Sequence, residues 1–324
     1  MDYSYIIEKI QKAKRKNTPF KHLEINDLFH EDDFNKIVQS SDIQLNKANS
    51  DKSLFDDLFN KNYKVISFPG CTENVQEYIK WHKTKNSSNR SNTSCEGFGV
   101  VLRLEKANSK PIIELQKFLD SKEFKECIAE KFNIDLSECN HDAGIQKYLD
   151  GYEISPHPDV RRKALTYMVN INPNPESETE EHHTSYLKFK PEWNFVNEFW
   201  NGNQNMDRSW VPWDWCDTIK QQTLNNSIVI FSPDNNTIHA VKAKYDHLSY
   251  QRTQLYGNLW HKVCAVDSMP KWEKLAIPMG NIESVSNVKD KKLFVEKLTD
   301  FLPYRLTSKI RNFQQRKTHN KPEF

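Results

Sequence analysis

The sequence reads as an α+β protein, a core of short antiparallel strands with helical segments before and after it. Three observations carry this reading. Up to about residue 140 most apolar residues recur at helical spacing. From 141 to about 260 they fall in short runs separated by turn signals, and beyond 285 the helical spacing returns. The expected organisation is therefore a helical and mixed support (1–140), a strand core (141–265) and a helical extension (266–324).

The elements follow in order. Residues 1–16 form a basic amphipathic helix pattern with Tyr5, Ile6, Ile10 and Ala13 near one face. Pro19 and Phe20 end it and begin an extended segment at 22–25. Residues 32–40 read as a second helix, whose acidic first turn complements the helix dipole. The Ser/Asn-rich stretch 86–94 reads as a loop, and 98–104 (FGVVLRL) as a buried strand. From 111 to 132 the apolar positions Ile112, Leu115, Phe118, Leu119, Phe124, Cys127, Ile128 and Phe132 mark a helical run. Short strands are expected at 144–148, 154–157, 164–171, 186–189, 227–231, 238–241 and 254–260, which suits a barrel or sandwich. Between 191 and 222 lies an insert carrying Trp193, Trp200, Trp210, Trp213 and Trp215. A loop that long is functional or disordered, and its aromatic content argues against disorder. In the tail, Leu293, Val295, Leu298, Phe301 and Leu302 are the helical positions.

Composition narrows the function classes. The 46 basic and 44 acidic residues nearly cancel, so the chain lacks the field of a dedicated nucleic-acid binder. Six cysteines without regular spacing fit reduced thiols better than a disulfide frame or a zinc site. With no apolar leader and no run of eighteen apolar residues, a cytoplasmic protein without membrane contact is expected. Its oligomeric state is not legible.

Two short segments carry the chemistry, Ser-Pro-His157-Pro-Asp159 and Thr-Ile-His239-Ala-Val. Positions i and i+2 on a strand share a face, so His157 and Asp159 are expected to chelate one ion from a strand end. Pro158 suits an edge or terminus. Two histidines and one carboxylate are the ligand set of a non-haem Fe(II) centre with open positions. Taken alone, the triplet reads more readily as a surface histidine beside an Asp turn. Arg252, 13 residues beyond His239, opens an apolar strand, and its guanidinium fork suits a carboxylate. Lys242 and Lys244 are the alternatives for that role.

Residues 144–261 resemble the catalytic core of the Fe(II)/2-oxoglutarate-dependent oxygenases, nearest to the prolyl-4-hydroxylase-like branch. The elements that carry the resemblance are YLDGYEISPHPD, KALTYMVNINP, SIVIFSPDNNTIHAV and RTQLYGNLW, and PFKHLEINDLF is similar to the opening of many microbial and phage members. The resemblance implies a double-stranded β-helix (jelly-roll) core with flanking helices. It implies His157, Asp159 and His239 as ligands of Fe(II), and Arg252 as partner of the distal carboxylate of 2-oxoglutarate. Tyr148, and Asn170 or Thr166 on one strand face, would lie near that cosubstrate. One departure stands out: the family arginine usually follows the distal histidine more closely than the 13 residues seen here. The activity implied is oxidation of an unactivated C–H bond by O₂, with 2-oxoglutarate leaving as succinate and CO₂. Related halogenases carry a small residue in place of the carboxylate ligand, so Asp159 favours hydroxylation or another outcome of hydrogen abstraction.

For the substrate, the sequence offers Arg161 and Arg162 beside the motif, Tyr152, and Trp213 in the insert. One of Arg161, Arg162 and Lys163 would meet an acidic substrate group, and a solvated turn is the competing reading of the basic run. His182 and His183 are expected in a loop near the rim of the site. Three functions stand open: a small-molecule oxygenase acting on an amino acid derivative or related metabolite, hydroxylating, cyclising or desaturating it; a prolyl-type protein hydroxylase; and a non-enzymatic jelly-roll binding protein.

Overall fold

Alternation along the core strands is the force that builds the fold. In the strand Arg252–His261, Leu255 and Leu259 turn to one side, while Arg252, Gln254, Tyr256 and Asn258 turn to the other. In Lys163–Asn170, Leu165, Tyr167 and Val169 oppose Thr166, Met168 and Asn170. Both faces of these strands are buried, so a one-residue slip would exchange a helix-facing set for a site-facing set, and the register is strongly specified.

The computed structural model describes residues 2–68, 71–85, 98–204 and 206–264. The loop expected at 86–94 and the helical tail expected after 285 lie outside these residues. The helices are α1 (Ser4–Lys12), α2 (Glu31–Val38), α3 (Asp51–Asn60), α4 (Val75–Thr84), α5 (Lys110–Leu119), α6 (Lys122–Lys131) and α7 (Phe195–Gly202). The strands are β1 (Leu23–Ile25), β2 (Tyr63–Val65), β3 (Val101–Leu104), β4 (Cys139–Tyr148), β5 (Glu153–His157), β6 (Lys163–Asn170), β7 (Thr184–Phe189), β8 (Cys216–Gln222), β9 (Ile228–Phe231), β10 (His239–Lys242) and β11 (Arg252–His261). A seven-stranded sheet has the order β1-β9-β6-β11-β4-β3-β2, and a four-stranded sheet the order β5-β10-β7-β8. All their pairings are antiparallel. From β4 to β11 the chain crosses repeatedly between the two sheets, which is the double-stranded β-helix architecture.

The outer face of the large sheet is covered by helices. Ile6, Ile10, Ile37, Leu54, Leu115 and Ile128 join Ile145, Leu165, Val169, Leu255 and Leu259 in one core. Side-chain caps fix several helix starts, each worth about 1 kcal/mol. Ser50 and Ser53 form a capping box on α3, Asn74 accepts from the first turn of α4, and Ser121 caps α6. That last cap divides the run expected at 111–132 into two helices, because Ser121 ties its side chain to the Phe124 amide (3.2 Å). The first helix is also shorter than expected: Ala13 is already extended, and Lys16 pairs with His22. Helices α3 and α4 and strand β2 were not anticipated. The tryptophan-rich insert is no loop throughout, since it holds α7 and the edge strand β8. No helix among the described residues is long and apolar enough to cross a membrane.

Candidate metal centre and cavity

The space between the sheets holds the predicted residues. His157 closes β5 and pairs directly with His239, the first residue of β10. The next pair is Ile154 with Val241, so a three-residue step on β5 opposes a two-residue step on β10, which is a bulge. Pro156, which has no N–H to give a ladder, lies inside it. The extra residue turns both Ile154 and His157 toward the same cavity. The two imidazole centroids are 4.4 Å apart.

Asp159 reaches them differently from the expectation. It lies two residues past the strand end with φ +43°, so a left-handed turn, not strand alternation, brings its carboxylate back. Asp tolerates this conformation better than most residues, at a cost of about 1 kcal/mol. Three bonds hold it: Lys163 Nζ donates to Oδ1 (2.6 Å), Thr166 Oγ1 to Oδ2 (2.7 Å), and Arg208 Nε to the backbone carbonyl (3.0 Å). His157 Nε2 is 3.6 Å from Oδ1, and His239 Nε2 is 3.9 Å from Oδ2.

The protonation pattern fits a cation. His157 Nδ1 bonds the Ser155 carbonyl (2.9 Å) and His239 Nδ1 the Thr237 carbonyl (2.8 Å). Carbonyls only accept, so both rings carry their proton on Nδ1 and turn an Nε2 lone pair inward. Burial, followed by the neighbouring His157, lowers the His239 pKa to about 3, which keeps it neutral. Burial opposes ionisation of Asp159, but the Lys163 charge outweighs it and holds the carboxyl well below its ordinary range. Two imidazoles and one carboxylate, with ligand atoms within 4.8 Å of one another, suit Fe(II).

A second cluster differs in kind. Asp51, His82 and His247 also lie within 4.8 Å of one another, but their ring nitrogens are all engaged. His82 contacts Asp51 through Nδ1 (2.9 Å) and Asp150 through Nε2 (3.5 Å). His247 Nε2 meets Asp51 (2.9 Å), and its Nδ1 accepts from the Asp150 amide (3.3 Å). Burial would lower the His82 pKa, yet the two carboxylates raise it to about 9. Lys85 adds a further positive charge at Asp150 (2.8 Å). This is an ion-paired network with its lone pairs already used.

Arg252 begins β11 opposite Tyr148 and is buried. Its guanidinium lies 4.6 Å from the Tyr148 ring centroid, and its Nη2 donates to Thr184 Oγ1 (3.1 Å) across the sheets. Nη1 is buried with no partner among the described residues. The 13-residue spacing is occupied by a connection whose Tyr245 hydroxyl accepts from the Arg252 amide (2.9 Å) and donates to the Tyr148 carbonyl. Lys242 and Lys244 are exposed.

The other candidate residues take varied positions. Thr166 donates to Asp159. Asn170 is spent on the Gln222 and Leu224 carbonyls and on Gln254, closing the β8–β9 turn. Arg161 clamps the insert through the Met206 and Trp200 carbonyls, and Arg162 is exposed. Tyr152 is buried against Tyr148 at 4.8 Å, in the aromatic layer around Arg252. Trp213 donates to Glu153 (2.8 Å) and borders a separate depression with Ser185 and Lys242. His182 and His183 are buried near Arg252, not at a rim, and burial followed by the arginine charge lowers them to about 2 and about 4.

Beside His157 and Asp159 opens a cavity of about 390 Å³. Phe68, Ile154, Trp210, Tyr256 and Trp260 give it an apolar wall, and Arg103, Asp142, Lys163 and Arg208 give it charge. Arg208 was not anticipated as a site residue, and Lys163 only as part of the basic run beside the motif. No periodicity marks either, although Lys163 lies four positions past Asp159.

No family model matches the chain, and no curated protein does. Among solved structures it is similar to a Pseudomonas putida prolyl-4-hydroxylase (TM-score 0.42, 7% identity, covering 80% of this chain and 99% of that one). It is also similar to a Trichoplax adhaerens prolyl hydroxylase in complex with a hypoxia-inducible-factor peptide fragment (0.42, 12%, 80% and 89%). A third likeness is to EvdO2 from Micromonospora carbonacea var. aurantiaca complexed with 2-oxoglutarate (0.33, 11%, 84% and 95%). At these scores the reading of the site rests on its own geometry.

Proposed function

We propose that this protein is an Fe(II)- and 2-oxoglutarate-dependent oxygenase that hydroxylates an unactivated C–H bond of a small molecule. One observation carries the reading. Two carbonyl-oriented histidines and a buried carboxylate converge at one end of the inter-sheet space, and a buried arginine with an unpaired guanidinium nitrogen lies in the same space. His157, Asp159 and His239 would hold Fe(II) and leave coordination positions open. Bound there with 2-oxoglutarate and O₂, the metal supplies an oxidant able to abstract hydrogen, with release of succinate and CO₂.

The chain's own residues do the positioning. Arg252 offers a fixed fork to the distal carboxylate of the cosubstrate, and Thr184 steadies one arm of it. Tyr148, Tyr152 and Tyr245 pack around that arginine and exclude water, which strengthens its charge-assisted bonds. Thr166 and Lys163 keep Asp159 turned toward the histidines. The insert residues Arg208, Ser209 and Trp210 close one side of the cavity, whose volume suits a metabolite.

Anaerobic addition of Fe(II) and 2-oxoglutarate tests the reading. A weak visible charge-transfer band is expected, and it should be absent in His157→Ala. Wild-type protein that gives no band, and forms no succinate in air, would overturn it.

A further inference from the structure

Among the described residues, each arginine and lysine of the cavity has a carboxylate partner except one. Arg103 grips Asp142 through both Nη atoms (2.6 and 3.1 Å), and Lys163 grips Asp159 (2.6 Å). Arg208 is only 6% exposed and lines the same cavity, yet its guanidinium makes a single protein bond, from Nε to the Asp159 carbonyl (3.0 Å). Neighbouring Asp207 is turned to the backbone amides of Arg161 and Arg208 (2.7 and 2.9 Å). Among the described residues no carboxylate lies within ion-pair distance of Arg208, and neither Nη has a partner. The Asp159, Asp207 and Asp234 charges favour the cation from a distance without pairing with it, and neither Nη is among the fully buried atoms, so both stay open to a bound anion. With Nε occupied, the free edge is the pair of Nη groups, whose parallel donors match the two oxygens of a carboxylate.

We infer that Arg208 is the substrate's anion receptor, so that the substrate is a small molecule bearing a carboxylate, or a sulfonate of like geometry, on a largely apolar body. The Asp159 carbonyl fixes Arg208 beside the metal ligand, while Trp210 and Trp260 offer aromatic wall to the rest of the molecule. Burial and the nearby Arg161 charge lower the Arg208 pKa only to about 10, so it stays cationic at neutral pH. The inference rests on the oxygenase reading for the word substrate; the anion site itself does not.

The test uses the full-length protein and three matched probes: 3-phenylpropionate, 3-phenylpropane-1-sulfonate and the uncharged 3-phenylpropionamide. Tryptophan fluorescence follows their binding, and melting curves check folding. Wild-type protein should bind an anionic probe about 10- to 100-fold more tightly than the amide, the range of a charge-assisted hydrogen bond. Arg208→Met should abolish the preference, Arg208→Lys should keep part of it, and the control Arg162→Met should retain it. The acid and sulfonate arms show which oxyanion fits. Equal binding of acid and amide, binding of neither, or a preference that survives Arg208→Met and so resides at Arg252, would overturn the proposal. Metal-dependent 2-oxoglutarate binding is measured separately on the same samples. Its absence beside an intact acid preference strikes the oxygenase reading alone, and the reverse result strikes the receptor alone.

Discussion

Arg252 should decide cosubstrate affinity while contributing little to the stability of the protein alone. Its guanidinium is buried with Nη1 unpaired and one bond to Thr184. Arg252→Met removes a buried charge together with the fork for the ligand. In the absence of 2-oxoglutarate, loss of the Thr184 bond and of packing over Tyr148 is offset by relief of desolvation, so stability should change by about 1 kcal/mol or less. With ligand present the difference is large. Two charge-assisted hydrogen bonds are worth about 3 kcal/mol or more, which is at least ~100-fold in Kd. At a ligand concentration that is about 100 times the wild-type Kd, binding adds about 2.7 kcal/mol of stability, and in the variant it would add about 0.4. At about 2–4 °C per kcal/mol, a ligand-induced rise of ~5–10 °C in Tm should shrink to ~1 °C. Thermal denaturation with Mn(II), with and without 2-oxoglutarate, measures both halves. Arg252→Lys keeps the charge but not the fork and should fall between. A methionine variant that keeps its 2-oxoglutarate-induced shift would refute the assignment.

Other outcomes follow from the same geometry. His239→Ala should abolish tight Co(II) binding measured by calorimetry with no large loss of secondary structure; unchanged affinity would remove it from the ligand set. Thr166→Val is nearly isosteric and deletes the 2.7 Å bond to Asp159, so metal affinity should fall about 10-fold, the range of an outer partner of a ligand; calorimetry again decides. Stability against pH should expose two opposed groups. His82 titrates at about 9 in the folded chain against an ordinary 6.5, so its contribution is full below 6.5 and lost as pH rises through 9. Discounted for partial exposure it is worth about 1–2 kcal/mol. Lys147 is fully buried on Ile43 and Thr253, and desolvation lowers it to about 7 from 10.5, so the fold gains stability as pH rises from 7 to 10.5. Denaturant melts should therefore show Lys147→Met losing stability between pH 7 and 9 relative to wild type, and His82→Gln gaining it, as each wild-type group titrates; slopes of the reverse sign would refute the assignments.

What could be read from the chain depended on whether the cause was local. Strands β6, β9 and β11 announce themselves because every second residue meets the same layer, and His-x-Asp because its ligands are neighbours in sequence. The short caps at Ser50 and Asn74 are local too, yet α3, which buries Leu54, Phe55 and Leu58, and α4, which buries only Tyr78, went unread. Asp159 shows the opposite failure. Its identity was legible, but its left-handed turn depends on Lys163, Thr166 and Arg208, the last of them 49 residues away. Adjacency to the motif suggested Arg161 and nothing local suggested Arg208; only the path of the insert turns the first onto carbonyls and the second into the cavity.

The spacing between His239 and Arg252 is the instructive case, because as a departure from a pattern it counted against Arg252. In the fold those residues are employed. Tyr245 receives the Arg252 amide, and its own amide is held by Asp150 Oδ1 (3.1 Å). Asp150 in turn faces His82 and Lys85, and His247 from the same connection closes on Asp51. The longer connection thus ties the first residue of β11 to helices α3 and α4 through a buried ion network. If that network positions the arginine, His82→Gln should weaken 2-oxoglutarate binding several-fold at neutral pH although His82 cannot reach the ligand, and Arg252→Met should abolish that difference. Additive effects in this double-mutant cycle would show that the two ends of the connection act independently.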